Sequence, residues 1–495
     1  MFRSRVFRAI QNQCLINGKF VPAVSGKTFD VVNPATEELI CKVAEGDKAD
    51  VDLAVKAARD AFNKYRLMDG RDRRDLMLKF CDLLEKDASN IAKLESMNTG
   101  KPYEAALHVD TKLAVECLRY YAGWADKIYG QLAPVSGNNM SIVKREPVGV
   151  CGQIVPWNFP LLMGAWKLGP ALATGNTIVF KPAELTPLSA LRVGELVTEA
   201  GFPDGVLNIV PGYGATAGAA IAKHMDIDKI AFTGSTLVGR EIMRMAAESN
   251  IKKVSLELGG KGAFILCEDA DLDAAVSATV MGIYFNAGQT CAACSRIYVH
   301  EDVYDSYVEK LKVAADGYRP GNKEGKLMEL SPVISQKQYD RVLNYIEIGK
   351  KEGATLVTGG ARMDEKGYYI TPAIFADVKE DMQICKEEIF GPVVCIMKFK
   401  EMDEVVARAN DSIYGLAAGI WTRDIDKAMR YTTFLEAGTV WVNTWLGLDI
   451  AMPFGGYKQS GIGRENGQEA LDLYTESKTV YYALFKTGPF CEEIK

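Results

Sequence analysis

Histidine is almost missing from this chain: 495 residues contain three, His108, His224 and His300, and none lies beside another candidate ligand. That scarcity argues against an imidazole-based zinc site and against histidine as a catalytic base. A second CxxC is missing as well. Cys291 and Cys294 form the one such pair, and the 11 cysteines are an odd number scattered from Cys14 to Cys491. Neither a structural zinc site nor a disulfide framework is expected, so the metal expectation is none and the thiols belong in a reducing compartment. Long basic runs are absent and the net charge is −6, which leaves nucleic-acid binding without electrostatic support. An unbroken apolar span is lacking too. Residues 147–166 carry no charge, but Pro147, Pro156 and Pro160 interrupt them, and Gln153 and Asn158 are polar. Buried strand, loop and helix fit that stretch better than a membrane span. No repeat or low-complexity tract stands out.

What is present has the balance of a folded protein, with 48% hydrophobic and 25% charged residues. The length is too great for one core, so two or three domains are expected. Arg3, Arg5 and Arg8 precede the first acid, Asp30, a pattern that weakly resembles a mitochondrial transit peptide. It is short, and strand-like sequence begins at Cys14. The expectation is a cytoplasmic protein, with the mitochondrion as the alternative.

Helical periodicity with mixed charge runs over residues 50–66 and 74–97. From Val148 onward, short apolar runs alternate with helical segments: VGVCGQIV, NTIVFK, VLNIV and DKIAFTGS read as strands. LLMGAWKLGPALATG, TPLSALRVGELVTEAG, ATAGAAIAKHM and TLVGREIMRMAAES read as helices. Continuous apolar strands separated by helices predict a parallel sheet covered on both faces, a doubly wound α/β domain. A second alternating series begins after about residue 260 and predicts a second α/β domain.

Five segments carry candidate chemistry. In FTGSTLVG, a strand ends near Phe232, Gly234 and Ser235 turn the chain, and a helix begins whose N-terminus suits a phosphate. It lacks the GxGxxG spacing and also reads as an ordinary turn. In FKPAE, Lys181 and Glu184 follow a strand end, where ligands sit in open α/β sheets; a solvated charged loop is the alternative. In FNAGQTCAACSR, Cys291 has small neighbours, so a substrate could approach its sulfur. A redox CxxC pair or a buried small hydrophobe remains open there. Glu257 in VSLELGGKG sits in an apolar strand, where burial would raise its pKa toward the range of a general base, unless it is paired for structure. Asn158 in PWNFP could donate an amide hydrogen to an oxyanion, or close a simple Asx turn.

Taken in order, PWNFP, FKPAE, FTGS, LELGGK, GQTC, EEIFGPV and PFGGYKQSGIGRE resemble the recurring blocks of the aldehyde dehydrogenase superfamily, over about residues 12–482. The likeness is strongest to the cytosolic and mitochondrial class that handles acetaldehyde and retinal. It implies an α/β fold with a Rossmann-type NAD-binding domain (1–125 and 148–259), a catalytic domain (260–460) and a small β oligomerisation extension (126–147 and 461–495). The C-terminal strand of that extension is expected around residues 479–484. It implies oxidation of an aldehyde to a carboxylic acid with NAD, in a homotetramer that binds a small-molecule aldehyde and neither nucleic acid nor membrane.

The resemblance also assigns roles. Cys291 matches the nucleophile that forms a thiohemiacetal and then a thioester. Asn158, with the Cys291 backbone N–H, matches the oxyanion site, and Glu257 matches the general base. Lys167 and Glu465 match a proton relay behind it. For the cofactor, Lys181, Glu184, Gly234, Ser235, Glu388, Phe390 and Trp157 match binding positions, and the acid at Glu184 favours NAD over NADP. Phe159, Met163, Trp166, Phe285 and Phe454 resemble the wall of an apolar substrate tunnel. Cys294 is expected to be packing.

Several positions depart from the family pattern. GKGAFIL stands for GKSPNII, Lys323, Glu324 and Gly325 replace a proline, an aromatic and an acid, and Ser331 replaces a glycine. Leu448 replaces a tunnel aromatic, Trp445 adds bulk near it, and Thr290 and Ala292 flank the nucleophile in place of cysteines. Such changes suit a second reading, a weakly active relative recruited as a lens protein of the omega-crystallin kind. Retention of Cys291, Glu257, Asn158, Lys181 and Glu388 favours the enzyme.

Overall fold

The computed structural model describes residues 10–318, 329–363 and 366–484. The arginines at positions 3, 5 and 8, the departure at 323–325 and residues 485–495 of the expected extension lie outside the described residues.

The alternation read from Val148 onward forms a mixed α/β architecture around an eight-stranded sheet. Its five inner strands, Leu207–Ile209, Thr177–Lys181, Val150–Ile154, Lys229–Thr233 and Lys253–Glu257, lie in that spatial order and run parallel. The first four are buried at every position, as expected of strands covered by helices on both faces. The helices Pro160–Ala173, Leu188–Ala200 and Thr236–Glu248 make crossovers. The antiparallel hairpin Cys14–Ile16 and Lys19–Val21 closes one edge, turning through Asn17 (φ 51°) and Gly18 (φ 74°). Gly461–Ile462 closes the other edge.

From Val150–Ile154 the chain winds outward through 177–181 to 207–209. It then returns to the opposite side of the starting strand for 229–233 and 253–257. The order reverses between Val150–Ile154 and Lys229–Thr233, and ligands of open α/β sheets bind beyond the carboxyl ends at such a point. PWNFP, FKPAE, FTGS and Glu257 all sit at those ends.

The second sheet has seven strands in the order Thr355–Thr358, Ala373–Ala376, Val393–Phe399, Arg296–His300, Ala263–Leu266, Ala417–Trp421, Thr439–Val442, parallel except at the first. A third, antiparallel sheet joins Thr475–Ala483, Asn139–Pro147 and Gln131–Ala133.

Three local expectations shift. The strand anticipated near 479–484 starts at Thr475, because it pairs in unbroken register with the whole of Asn139–Pro147. The periodic stretch 74–97 is two helices, Gly70–Lys86 and Ala88–Thr99, hinged at Asp87, whose carboxylate accepts a hydrogen bond from Arg192 Nε at 2.7 Å. ATAGAAIAKHM opens as a wide π-turn over Gly214–Gly218 and is α-helical over Ala219–Lys223. Among the described residues, no helix is long and apolar enough to cross a membrane.

Candidate active site

Cys291 reaches the cleft on a strained turn. After the helix Leu272–Tyr284, Asn286 (φ 52°), Ala287 (φ 54°) and Gly288 (φ 70°) are left-handed in succession. A side chain in that region costs roughly 1–2 kcal/mol, so the turn persists because its surroundings hold it. Asn286 Nδ2 donates to the carbonyls of Asn158 (3.1 Å) and Gln289 (3.3 Å). Gln289 Nε2 donates to Asn286 O (2.9 Å) and Pro332 O (3.2 Å), and its Oε1 accepts the Ile334 N–H (2.8 Å). Glycine is required at two close approaches: a Cβ on Gly288 would lie 2.1 Å from Gly391 O, and one on Gly260 would lie 2.4 Å from Cys291 O.

Trp445 underlies the same loop. Its Nε1 donates to Ala292 O at 3.0 Å, and its ring lies against the backbones of Gly262, Gly282 and Gly419 and the ring of Phe264. Gly262 and Phe264 belong to GKGAFIL, so two separate departures from the family pattern pack on each other. Cys294 is fully buried, with its thiol 3.7 Å from Thr279 O, and packs as expected.

Cys291 opens onto a cavity of about 740 Å³ that is also lined by Asn158 and Glu257. Asn158 Nδ2 gives one hydrogen to Gln289 O (3.0 Å), leaving its second amide hydrogen available to a ligand. Glu257 ends the strand Lys253–Glu257 and is buried, and neither carboxylate oxygen has a hydrogen-bond partner within the usual distance among the described residues. Burial pushes its pKa up to about 8, the negative charge of Glu465 adds to the rise, and the nearby Cys291 thiol opposes it. Burial and the charge of Glu257 push the Cys291 thiol well above its ordinary value in turn.

Behind Glu257, Lys167 sits in the helix Pro160–Ala173, every residue of which is buried. A buried ammonium needs partners: Lys167 Nζ donates to Thr233 Oγ1 at 2.6 Å and forms an ion pair with Glu465. Thr233 lines the cavity, whereas Lys167 and Glu465 stand one layer back.

At the other end, Gly234 and Ser235 line the cavity at the N-terminus of the helix Thr236–Glu248, capped by Ser235 Oγ accepting the Val238 N–H. Lys181 Nζ lies 3.5 Å from Glu184, and burial lowers its pKa. Glu184 lines the cavity, and Lys181 is buried beside it with its Nζ donating to Pro182 O at 2.9 Å. Glu388 is held by the Gly260 N–H at 3.0 Å, and burial raises its pKa to about 7. A Cβ on Gly259 would lie 2.3 Å from Glu388 Oε2, so this glycine makes room for the carboxylate. Phe390 (φ 59°) meets Trp157 edge to face at 5.3 Å. Sequence reasoning passed over Gln338 and Arg341, whose side chains donate to Phe390 O and Glu388 O at 2.8 Å each and line the same cavity.

The tunnel residues come together as well. Phe159 stacks on Phe285 at 6.1 Å, Trp166 meets Phe454 at 5.3 Å, and Met163 completes the wall, with Val109, Leu113 and Leu448 further out. Val109 and Leu113 carry no motif, and helical spacing alone could have flagged them. Away from the cavity, Cys267, Glu268 and Asp269 group their ligand atoms, but Asp269 caps the turn at Thr422 and Arg423, and Glu268 pairs with Lys427.

Comparison with known proteins accords with this geometry. Residues 20–480 match the sequence model of the aldehyde dehydrogenase family. The chain is 64% identical to the mitochondrial aldehyde dehydrogenase of Leishmania tarentolae, over 96% of this chain and 95% of that one. It is 53% identical to cytosolic aldehyde dehydrogenase 1 of Mus musculus, over 94% and 93%. Among solved structures, the NAD+ complex of the Bacillus cereus aldehyde dehydrogenase superposes with a TM-score of 0.93 at 52% identity, covering 95% of this chain and 96% of that one.

Proposed function

The chain belongs to the aldehyde dehydrogenase family, and from that membership we propose how its residues divide the work of oxidising an aldehyde to a carboxylic acid with NAD. The observation that carries the reading is the convergence of Cys291, Asn158 and Glu257 on one cavity whose far end holds Glu184, Ser235 and Glu388.

The residues fit a dinucleotide. The helix N-terminus at Ser235 offers N–H groups and positive potential to a pyrophosphate. Lys181 and Glu184 suit one ribose diol, and the negative charge of Glu184 disfavours an added 2′-phosphate. Glu388, seated in the space left by Gly259, suits the other ribose, with Phe390 and Trp157 beside it.

The first step moves the Cys291 thiol proton to Glu257. Both groups are disfavoured as anions by burial and by each other. Passing one proton between them relocates a single negative charge without adding a second, so the burial penalty is not doubled. The thiolate adds to the aldehyde carbon, and the second amide hydrogen of Asn158 with the Cys291 backbone N–H stabilises the oxyanion that forms. When bound, NAD supplies the acceptor for the hydride whose departure leaves a thioester on Cys291. Glu257 first passes the proton it took from Cys291 inward to the Lys167–Glu465 pair. As a carboxylate again, it takes a proton from water, the hydroxide adds to the thioester, and the C–S bond breaks to release the acid and the thiolate. Lys167 and Glu465 carry that proton onward. The apolar tunnel suits an uncharged, largely apolar aldehyde.

A homotetramer is the proposed assembly. Tyr129, Leu132, Tyr481, Tyr482 and Leu484 are large apolar side chains exposed on the two faces of the third sheet or beside it, and exposed apolar surface on a sheet with an open edge suits an assembly contact. For the compartment, the cytoplasmic expectation has a cytosolic relative at 53% identity behind it. The mitochondrial alternative has a relative at 64% and the arginines at positions 3, 5 and 8. A reporter fused to residues 1–20 separates the two by where it accumulates.

The central test follows NADH absorbance with purified protein, NAD and a panel of aldehydes. Turnover is expected, and Cys291→Ala is expected to abolish it while NAD still binds. Absence of turnover in the unaltered protein, with NAD bound, would instead favour the lens-protein reading, for which the comparisons offer no support.

A further inference from the structure

Lys101 lies outside the chemistry described above, yet it is among the most buried charges in the molecule, with its side chain 1% exposed. It follows the helix Ala88–Thr99 directly, at a left-handed Gly100 (φ 77°) where a Cβ would collide with Pro332 and Pro34. Its backbone is fixed as well, since Lys101 O accepts the Ser96 hydroxyl at 2.6 Å. An ammonium has three hydrogens to place. One meets Asp110 Oδ2 at 2.8 Å and one meets the backbone carbonyl of Asn158 at 3.0 Å. The nitrogen also stands 4.3 Å from the centre of the Phe159 ring, a favourable position for a desolvated cation.

Each partner leads to the site. Asn158 offers the oxyanion amide, and Phe159 is tunnel wall. Asp110 sits in the π-turn Ala106–Thr111 between Val109 and Leu113, both of which line the cavity. Such a turn inside a helix costs regular hydrogen bonding and often marks function. Here it turns Asp110 inward to Lys101. Glu95, also fully buried, accepts the Leu161 N–H at 3.2 Å just beyond PWNFP, so Glu95 directly and Asp110 through Lys101 tie the same loop to two helical segments.

We infer that Lys101, neutralised by Asp110, is a positioning residue that fixes the peptide plane of Asn158 and so aims its side-chain amide at the oxyanion. The inference rests on the reading of Asn158 as oxyanion donor. The Asn158 carbonyl has a second donor, Asn286 Nδ2, which belongs to the nucleophile loop. Lys101 ties the donor to the helices, and Asn286 ties it to Cys291. Losing the first anchor lets the amide swing with the loop it must oppose.

The test is a double-mutant cycle read on kcat and on the KM for aldehyde. Lys101→Met with Asp110→Asn removes the ion pair without leaving the Asp110 carboxylate unpaired, and it is made with Asn158 intact and with Asn158→Ala. With Asn158 present, kcat is expected to fall at least about tenfold, with KM within about threefold, as for an interaction made in the transition state. In the Asn158→Ala background the same pair should change kcat by less than about twofold. Equal losses in both backgrounds, or no loss in either, would overturn the inference. If Asn158→Ala alone leaves kcat unchanged, the oxyanion reading itself falls, which is a separate outcome. Should the paired variant not fold, the near-isosteric Asp110→Asn alone runs the same cycle. It loosens the ammonium without removing it, and a loss confined to the Asn158 background is again the expected result.

Discussion

Glu257 holds a position that stability alone would not choose. Its carboxylate is buried without a conventional hydrogen bond among the described residues, and burial with the charge of Glu465 raises its pKa to about 8. In the unfolded chain a glutamate titrates near 4.3. Between about 4.3 and about 8, the folded state therefore keeps a proton that the unfolded state has lost, and stability falls as pH rises through that window before levelling above it. Glu257→Gln has no such dependence. Its Tm advantage over the unaltered protein is expected to widen from pH 5 to pH 8, by on the order of 2–5 °C, and to stay flat beyond. The same substitution should lower turnover by about 10²–10⁴ and remove the rise of activity with pH that the intact base gives up to about 8. A Tm difference that stays flat with pH, measured by thermal scans across that range, would show that Glu257 ionises as freely in the fold as in the unfolded chain.

At the scale of elements, the nucleophile loop and the strands beneath it behave as one packed unit. Trp445 follows the strand Thr439–Val442, occupies a slot bounded by Gly262, Gly282 and Gly419, and holds the loop through Ala292 O. Gly262, Phe264 and Trp445, three departures from the family pattern, thus pack as one cluster beside the Cys291 loop. Gly262→Ser restores the familiar family residue but places its Cβ 2.6 Å from Ala293 O and 3.1 Å from Trp445. It is expected to destabilise by about 1–3 kcal/mol and to lower kcat while NAD affinity holds. Adding Trp445→Tyr, a smaller ring, should recover part of the loss; urea unfolding and steady-state kinetics decide.

This unit also shows what sequence could convey. The parallel strands were legible because burial on both faces leaves continuous apolar runs. Cys291, Glu257 and Asn158 were legible because chemistry confines them to short blocks. Gln289, Lys101 and the Trp445 slot were not, since their meaning lies in carbonyls 43, 57 and 153 residues away, and no local pattern encodes such a partner. The break at Asp87 was hidden for the same reason: Arg192, 105 residues on, holds it.

For the whole molecule, two sheets face each other across the cavity, the first supplying Glu257, Asn158 and the cofactor cleft, the second supplying Cys291 and Glu388 from loops entering Arg296–His300 and Val393–Phe399. The third sheet contributes nothing to that cavity. Its nine-residue strand Thr475–Ala483 is exposed at seven of nine positions and pairs along one side with Asn139–Pro147. An exposed strand of that length invites pairing with other chains unless a specific partner covers it. A tetramer of four 54.3-kDa chains, about 217 kDa, satisfies this with closed symmetry. Light scattering on the purified protein is expected to give that mass. Tyr482→Asp combined with Leu484→Asp, which sets two charges on one face of the exposed strand, is expected to lower the mass while leaving NAD affinity unchanged, because neither residue lines the cavity. A monomeric mass for the unaltered protein would mean that this sheet folds back on no partner and that its exposed tyrosines serve something other than assembly.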